Sequence, residues 1–195
     1  MDIKDLKEFH FITPIETIPS ILEEGILCHR KANGLNHLDL SMDEIQQRRA
    51  RKKVPGGKAL HEYVNLYFDA HNPMLSKRRD KNNEICILRI RVEVLYLPDV
   101  VLTDRNASSD YVRFYSSPDG LKYLDRDKIF ARYWTHSNQF EYMEHKSIKC
   151  SEILVPNKLS QEYLLGAYVY NDIGRLALLD AGFPLEIIVN PDLFF

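Results

Sequence analysis

A short basic run contains the first residues whose type and spacing could do chemistry. Residues 48–53, RRARKK, carry five positive charges in six positions, and the chain then reaches the helix-breaking stretch VPGG. Positions three, four or seven apart share one face of a helix. Ile45 plus four and Met42 plus seven both lead to Arg49. Arg49 is therefore predicted to point the same way as the apolar residues of this helix.

This inward position of Arg49 has three explanations. The side chain can extend along the edge of the apolar face to water, form a buried structural ion pair, or enter a pocket that holds an anion or a polar ring edge. Two alternatives, a solvated face or a phosphate-binding rim, apply to the other cations, Arg48, Arg51, Lys52 and Lys53. A second basic run, SKRRDK at residues 76–81, lies near aromatic segments as well. Two such runs are typical of proteins that bind single-stranded nucleic acid.

A glutamate inside a predicted strand is the second candidate for chemistry. In the segment KCSEILVP, alternation places Cys150, Glu152 and Leu154 on one face of the strand. A carboxylate among apolar neighbours is costly unless it has partners or lies at the mouth of a cleft. Glu152 is therefore either on the wet face of an edge strand or a catalytic carboxylate.

Composition and charge narrow the class of protein. The chain has 195 residues, 45% of them hydrophobic, and a formal net charge of −2, which is ordinary for one globular domain and argues against non-specific coating of a polyanion. Three cysteines without a CxxC pair predict reduced thiols in a cytoplasmic protein. The N-terminus lacks an apolar signal-peptide core, and no apolar run approaches the ~18 residues that span a bilayer, so no membrane association is expected.

The elements that position these candidates follow from periodicity and turn signals. A helix within TIPSILEEGIL would begin at Thr17, close at Gly25 and bury Ile18, Ile21 and Leu22. The basic helix is predicted over residues 42–53, with Ser41 and Glu44 as its capping box. Strands are predicted over residues 8–13, 60–68, 86–94, 151–156, 165–171 and 185–190. Early helices and late strands without βαβ alternation predict an α+β fold with a mostly antiparallel sheet.

Several common site motifs are absent from the chain. It contains no GxGxxG, P-loop, HExxH or GxSxG pattern. Its acidic residues form no cluster that would require a divalent metal, so no metal is expected and a nuclease lacks support.

Several segments, in order, resemble the DarT family, bacterial toxins that transfer ADP-ribose from NAD to a base of single-stranded DNA. They are FITPIETIPSILEEGIL, IQQRRARKKVPGGKALHEYVNLYF, NPML, LTDRNASS, SEILVP and NPDLFF. The stretch RRxRxKVP, continuing through GG, LHEYV and YF to PML, is the most specific part, and the resemblance covers nearly the whole chain. It implies an α+β, ADP-ribosyltransferase-like fold, with two mostly antiparallel sheets around an NAD cleft and flanking helices, as a single domain over residues 1–195.

The resemblance also implies roles for individual residues. Arg49 matches the family's catalytic arginine, and Glu152 matches its catalytic glutamate. The implied NAD contacts are His10, Phe11, Ile12, Thr13, Ser20, Cys28 and Arg49. The segment of residues 33–51 is expected to lie over NAD, and the loop of residues 106–152 to present the DNA base. The implied DNA contacts are Arg48, Arg51 and Asn106.

Two positions depart from the family pattern. Phe11 stands where the family usually has a histidine, and Asn106 stands where a histidine commonly follows TDR. His10 is one residue away from the first of these positions. Because a shift of one residue turns a strand side chain to the other face, either the strand carries a bulge here or the histidine contact is absent. Either departure can change which base is accepted.

The implied reaction assigns separate tasks to the catalytic pair. Glu152 would hydrogen-bond a ribose hydroxyl and stabilise the positive charge that develops as nicotinamide leaves. A guanidinium stays charged, so Arg49 is interpreted as an anchor, and Glu152 or water would take the proton of the base. Thymine is the favoured acceptor; the alternatives are guanine, or a non-catalytic nucleic-acid-binding module on the same fold. The implied partner is a macrodomain ADP-ribosyl-hydrolase antitoxin in the bacterial cytoplasm.

Overall fold

Strands and short helices alternate along the chain without a repeating unit. The computed structural model describes residues 1–32 and 43–195. The strands are β1 (Phe9–Pro14), β2 (Ile26–Leu27), β3 (Tyr63–Tyr67), β4 (Ile85–Ile90), β5 (Val101–Thr103), β6 (Phe114–Ser116), β7 (Glu152–Pro156), β8 (Lys158–Leu159), β9 (Leu164–Val169) and β10 (Glu186–Val189). The α-helices are α1 (Ile18–Glu24), α2 (His29–Ala32), α3 (Asp43–Arg51), α4 (Pro73–Ser76), α5 (Arg126–Ile129), α6 (Gln139–Ile148) and α7 (Asp172–Asp180).

Eight of the strands form one large sheet. Its order is β10-β9-β4-β1-β3-β7-β5-β6, and β2 pairs with β8 in a separate two-stranded sheet. Neighbouring strands are antiparallel except for β9 and β10, which run parallel. The predicted α+β class and mostly antiparallel pairing are thus confirmed, with one large and one small sheet.

The large sheet is nearly divided at its centre. β1 pairs with β4 over all six residues from Phe9 to Pro14, whereas β1 and β3 meet through one residue pair, His10 with Tyr67. Beyond that pair the two strands diverge, and the sheet opens into two halves.

Predicted element boundaries hold to within a few residues, except for the strand over residues 86–94. That prediction is wrong beyond Ile90, where the pairing with β9 shifts register and a 3-10 helix, Val92–Tyr96, begins. Val94 and Leu95 remain buried in this helix, so apolar alternation continues although the strand has ended. Residues 60–68 likewise open with a 3-10 helix, Leu60–Glu62, before β3.

Both early helices form where they were predicted. α1 buries Ile18 and Ile21 in the main core, and Leu22 packs against that core. Gly25 ends α1 at a φ of +79°, where a Cβ atom would lie 2.5 Å from the Leu159 carbonyl oxygen. α3 matches the basic helix. The predicted capping box of Ser41 and Glu44, and the apolar side chains of Met42 and Ile45, lie outside the described part of the structure.

Candidate active site

A cavity of about 1120 Å³ lies where β1 and β3 diverge. The diverging strands contribute Phe11, Ile12 and Thr13 on one side and Asn65 and Tyr67 on the other. Residues of α1, β2, α2, α3, α4 and α6, together with the turn at residues 105–113, also line the cavity. The division of the sheet therefore creates the space for a ligand.

Glu152 is the first residue of β7 and lies beside this cavity with no exposed surface. Its carboxylate accepts a hydrogen bond of 2.8 Å from the backbone N–H of Ala107. Its own N–H donates to Thr103 Oγ1 at 2.9 Å, which ties the start of β7 to the end of β5. A buried carboxylate needs such partners, and the strand geometry fixes its position.

Arg49 supplies the charge that balances Glu152. Its Nη1 atom donates to both carboxylate oxygens, at 2.9 and 3.2 Å. Arg49 is 7% exposed and lines the cavity, whereas Glu152 does not reach the cavity surface. Arg49 therefore links the cavity wall to the buried carboxylate. A solvent-facing Arg49 and a wet edge-strand Glu152 are both ruled out by this burial.

Two ionisable neighbours of Glu152 remain protonated at neutral pH. Tyr67 lies opposite Glu152 in the β3–β7 register, and burial followed by the charge of Glu152 raises the pKa of Tyr67 well above 10.0. Burial, again followed by Glu152, raises the pKa of the Cys150 thiol to about 12. Reactive thiolate chemistry at Cys150 is therefore not supported, and Glu152 supplies the negative charge at this point.

A family model described as "ssDNA thymidine ADP-ribosyltransferase, DarT" matches residues 9–195. The chain belongs to the DarT family. It is 28% identical over 198 residues to a DNA ADP-ribosyl transferase–DNA ADP-ribosyl glycohydrolase fusion protein of Thermosipho africanus, an alignment that covers 97% of this chain and 50% of the relative. The chain thus spans about half the length of that curated relative.

Solved DarT structures share the fold. Thermus sp. 2.9 DarT in complex with ADP-ribosylated ssDNA superposes with a TM-score of 0.86 at 24% identity, covering 98% of this chain and 97% of that one. The same Thermus protein in complex with NAD+ gives a TM-score of 0.80 at 22% identity, covering 96% and 97%. The ADP-ribosyltransferase-like fold predicted from the DarT resemblance is confirmed.

The DarT-like first strand turns three of its four predicted contacts toward the cavity. Phe11, Ile12 and Thr13 all line it. β1 pairs with β4 without a register shift, so the strand has no bulge that could bring His10 into the place of Phe11. The structure thus favours loss of the histidine contact over a bulge.

His10 instead joins a polar cluster away from the described cavity walls. Its Nε2 lies 3.4 Å from Glu8 Oε1, and its ring lies beside that of Tyr168. Tyr168 and Arg89 each donate a hydrogen bond of 2.8 Å to the Glu8 carboxylate. Burial alone would raise the pKa of Glu8, but these hydrogen bonds and that from His10 lower it to about 2.

Of the two further NAD contacts predicted by ungapped counting, Ser20 and Cys28, the structure brings one to the cavity. Ser20 lies on α1 and lines the cavity. Cys28 is buried in the main core and is not among the described lining residues.

The two basic runs meet at the same cavity. Arg48 of the first run and Lys77 and Arg78 of the second line it. Arg51 is exposed and is not among the described lining residues. Of the segment of residues 33–51 expected to cover NAD, residues 33–42 lie outside the described part, while α3 contributes Gln46, Arg48 and Arg49 to the wall.

The segment of residues 106–152, expected to be a loop, contains β6, α5 and α6. Asn106 begins it and lines the cavity. Its side-chain Oδ1 accepts hydrogen bonds from the Ser108 N–H at 2.9 Å and the Ser108 hydroxyl at 2.6 Å. Asn106 therefore shapes the turn that presents the Ala107 N–H to Glu152.

Two contributors were missed from the sequence. The Ala107 N–H acts through the backbone, so its residue type gives no signal. For Lys52 the sequence predicts a solvated face or a phosphate-binding rim, but its Nζ donates to the Ser108 carbonyl at 3.3 Å and to the Ser109 carbonyl, and lies 3.4 Å from Asp110 Oδ1. The sequence Asn-Ala-Ser-Ser at residues 106–109 is typical of a turn, and it is the sequence signal that could have indicated the turn that Lys52 contacts.

Within residues 1–32 and 43–195, no group of three or more His, Cys, Asp or Glu side chains is arranged to hold a metal ion. No helix in these same ranges has the length and apolar character needed to cross a membrane.

Proposed function

We propose that this chain transfers ADP-ribose from NAD to thymine in single-stranded DNA and releases nicotinamide. The observation that carries the proposal is the buried Arg49–Glu152 pair beside a cavity of about 1120 Å³. That volume exceeds the ~300–1,000 Å³ of ordinary small-molecule pockets, and it suits a dinucleotide together with an entering base.

The bond that breaks joins the ribose C1′ to the nicotinamide nitrogen. Its electron pair leaves with nicotinamide, and positive charge develops on the ribose. A carboxylate beside the sugar stabilises that charge, and Glu152 is the carboxylate in position. A nitrogen of the base then bonds to C1′, and the proton on that nitrogen is released. The products are ADP-ribosylated DNA, nicotinamide and one proton.

Arg49 holds Glu152 in place and does not act as the base in this proposal. A guanidinium stays protonated in proteins, so it cannot accept the proton from thymine. The two oxygens of Glu152 offer about four acceptor sites, of which the two Nη1 contacts and the Ala107 N–H use three. One acceptor site of the carboxylate therefore remains for a ribose hydroxyl of NAD while Arg49 stays bound. Glu152 or water then takes the proton.

The charge around the cavity supports a nucleic-acid strand as second substrate. Although the chain as a whole carries a net charge of −2, six Arg and Lys side chains besides the paired Arg49 line the cavity within the described residues, against three carboxylates. They are Arg48, Lys77, Arg78, Arg105, Arg113 and Lys146. Such a local rim binds backbone phosphates, and its contribution falls as salt rises.

The decisive experiment uses labelled NAD and a set of single-stranded DNA oligonucleotides, each lacking one base. Transfer that disappears only without thymine supports the proposal. Disappearance only without guanine supports the alternative acceptor. No transfer to any DNA with NAD still bound would contradict the proposal and point to another acceptor, and RNA would be tested next. Glu152→Gln keeps the size and the acceptor for Ala107 N–H but should abolish transfer, while Glu23→Gln, on the exposed side of α1, is the matched control.

The biological setting belongs to the same proposal. The described residues form one transferase domain of a cytoplasmic toxin, and unchecked modification of DNA would block replication. An antitoxin that removes ADP-ribose, a macrodomain hydrolase, is then the expected partner. The glycohydrolase in the name of the Thermosipho relative supports a functional pairing of this kind.

A further inference from the structure

Two large aromatic side chains at the cavity are mostly exposed to solvent. Phe140 is 86% exposed and Tyr111 is 80% exposed, and both line the cavity. They come from different elements: Phe140 from the first turn of α6, and Tyr111 from the turn that follows Ala107. Neither ring is buried in the core, so neither contributes a large hydrophobic stabilisation to the fold.

Both rings are carried on backbone that hydrogen bonds hold in place. The Phe140 N–H donates to Oδ1 of Asn138, the N-cap of α6, at 2.8 Å. The Tyr111 N–H donates to Ser109 Oγ at 3.3 Å, and Lys52 binds the carbonyl oxygens of Ser108 and Ser109 in the same turn. A held backbone lowers the entropy lost when a flat ligand packs on these rings.

Cations near the two rings in sequence also line the cavity. Arg113 lies two residues beyond Tyr111, and Lys146 lies on α6 with Phe140. Arg105 also lines the cavity; its Nε is buried without a hydrogen-bond partner and lies 3.5 Å from Asp104 Oδ1, and its Nη2 lies 3.8 Å from Glu144 Oε1. Isolated exposed aromatics are common on protein surfaces. Aromatic faces interleaved with cations around one cavity are the combination that binds single-stranded nucleic acid.

We propose that Phe140 and Tyr111 are stacking platforms for the two nucleotides that flank the reacting base. This inference rests on the proposed function and names the part of the DNA substrate that each ring contacts. Stacking uses the flat face that every base possesses. The platforms therefore need some base at each flanking position, and its identity matters little. They orient the strand so that the unpaired acceptor enters the cavity between them.

The first test compares alanine variants of the platforms with a matched control. Tyr133 is 76% exposed but is not among the described cavity-lining residues. Phe140→Ala and Tyr111→Ala should each lower kcat/KM for the oligonucleotide by roughly tenfold or more, whereas Tyr133→Ala should not change it. The KM for NAD should stay the same in all three, and Phe140→Trp should restore activity that Phe140→Leu does not.

The second test removes the bases and keeps the backbone. Oligonucleotides with an abasic site on one side of the acceptor should react more slowly with the wild-type protein. If a ring stacks on that base, the matching alanine variant should show no additional loss on the abasic substrate. The inference would be overturned if the loss caused by the alanine substitution and the loss caused by the abasic site multiplied in every combination of the two variants and the two abasic positions.

Binding measurements separate this inference from the proposed reaction. Fluorescence anisotropy of a labelled single-stranded oligonucleotide needs no catalysis. Weaker binding by Phe140→Ala and Tyr111→Ala, but not by Tyr133→Ala, supports the platforms even if the wild-type protein transfers nothing to DNA. If the wild type and the three alanine variants bind the oligonucleotide equally, the stacking platforms are refuted, even if transfer to thymine is robust.

Discussion

Arg49 Nη1 lies 2.9 Å from one carboxylate oxygen of Glu152 and 3.2 Å from the other, so a single nitrogen spans the carboxylate. The pair joins α3 to β7 across 103 positions of sequence. A buried ion pair is weak support for stability, because removing two charges from water costs about as much as their attraction returns. Its place beside the cavity therefore indicates function, and the two residues should be coupled in both stability and activity.

Breaking the pair from one side should destabilise the fold. Arg49→Met keeps most of the side-chain length but leaves the Glu152 charge buried with the Ala107 N–H as its remaining described partner. We expect the free energy of unfolding to fall by about 3 kcal/mol, measured by urea titration. Adding Glu152→Gln removes that unpaired charge, so the double variant should be more stable than Arg49→Met alone. Strictly additive effects would show that the two side chains are not coupled.

Arg49→Lys tests what the guanidinium does beyond carrying charge. A lysine ammonium can approach the Glu152 carboxylate, but it lacks the planar set of donors that can hold Glu152 and a substrate group at once. We expect kcat to fall about a hundredfold with the fold intact, as for the loss of one positioned donor in an active site. The measurement is nicotinamide release under saturating NAD. Near-normal turnover would mean that charge alone suffices.

The positions of Arg49 and Glu152 could be predicted because both depend on the local periodicity of a helix or a strand. The helical repeat turned Arg49 inward, and strand alternation identified Glu152 as a carboxylate that needed partners. Cys28, predicted by ungapped counting, is buried in the main core and is not among the described cavity-lining residues, because counting along the chain does not report which way a side chain points. The predicted end of β4 is wrong because an apolar pattern reports burial and not strand conformation. Val94 stays buried although the strand has already ended.

Lys52 shows the limit of reading charge from sequence. It is adjacent to Arg51, and both belong to the same basic run, yet only Lys52 binds the turn at Ser108 and Ser109. That contact depends on where a segment more than fifty positions away folds back. Long-range pairing of this kind leaves no local pattern.

Lys52 should act as a positioning residue for Glu152. It holds the turn whose Ala107 N–H binds the carboxylate, so Lys52→Met should let that N–H drift and lower kcat by roughly ten- to a hundredfold. The KM for NAD should change little, because Lys52 is not among the described cavity-lining residues. Lys52→Arg should restore most of the rate, since arginine can also donate to carbonyl oxygens.

The control for Lys52 is Lys4→Met, an equivalent change at an exposed position near the N-terminus. It should leave kcat and KM unchanged. If Lys52→Met lowers thermal stability and activity in parallel and Lys52→Arg restores neither, the contact is merely structural.

The Glu8 cluster should make stability depend on pH in the acid range. The folded-state pKa of Glu8 is about 2, below its ordinary 4.5. A carboxyl whose pKa is lowered by folding stabilises the protein fully above pH 4.5, and this contribution disappears as the pH falls from 4.5 toward 2. Relative to Glu8→Gln, the wild-type protein should therefore be more stable at neutral pH, by at most about 3 kcal/mol.

The stability gap between wild type and Glu8→Gln should narrow steadily below pH 4.5. Urea titrations at a series of pH values measure this gap directly, and Glu23→Gln, which alters an exposed carboxyl, should show almost none. The partners explain the direction: Arg89 and Tyr168 donate to the charged form of Glu8, and protonation weakens both bonds. A gap that stays constant down to about pH 3 would mean that Glu8 contributes through packing and not through its charge.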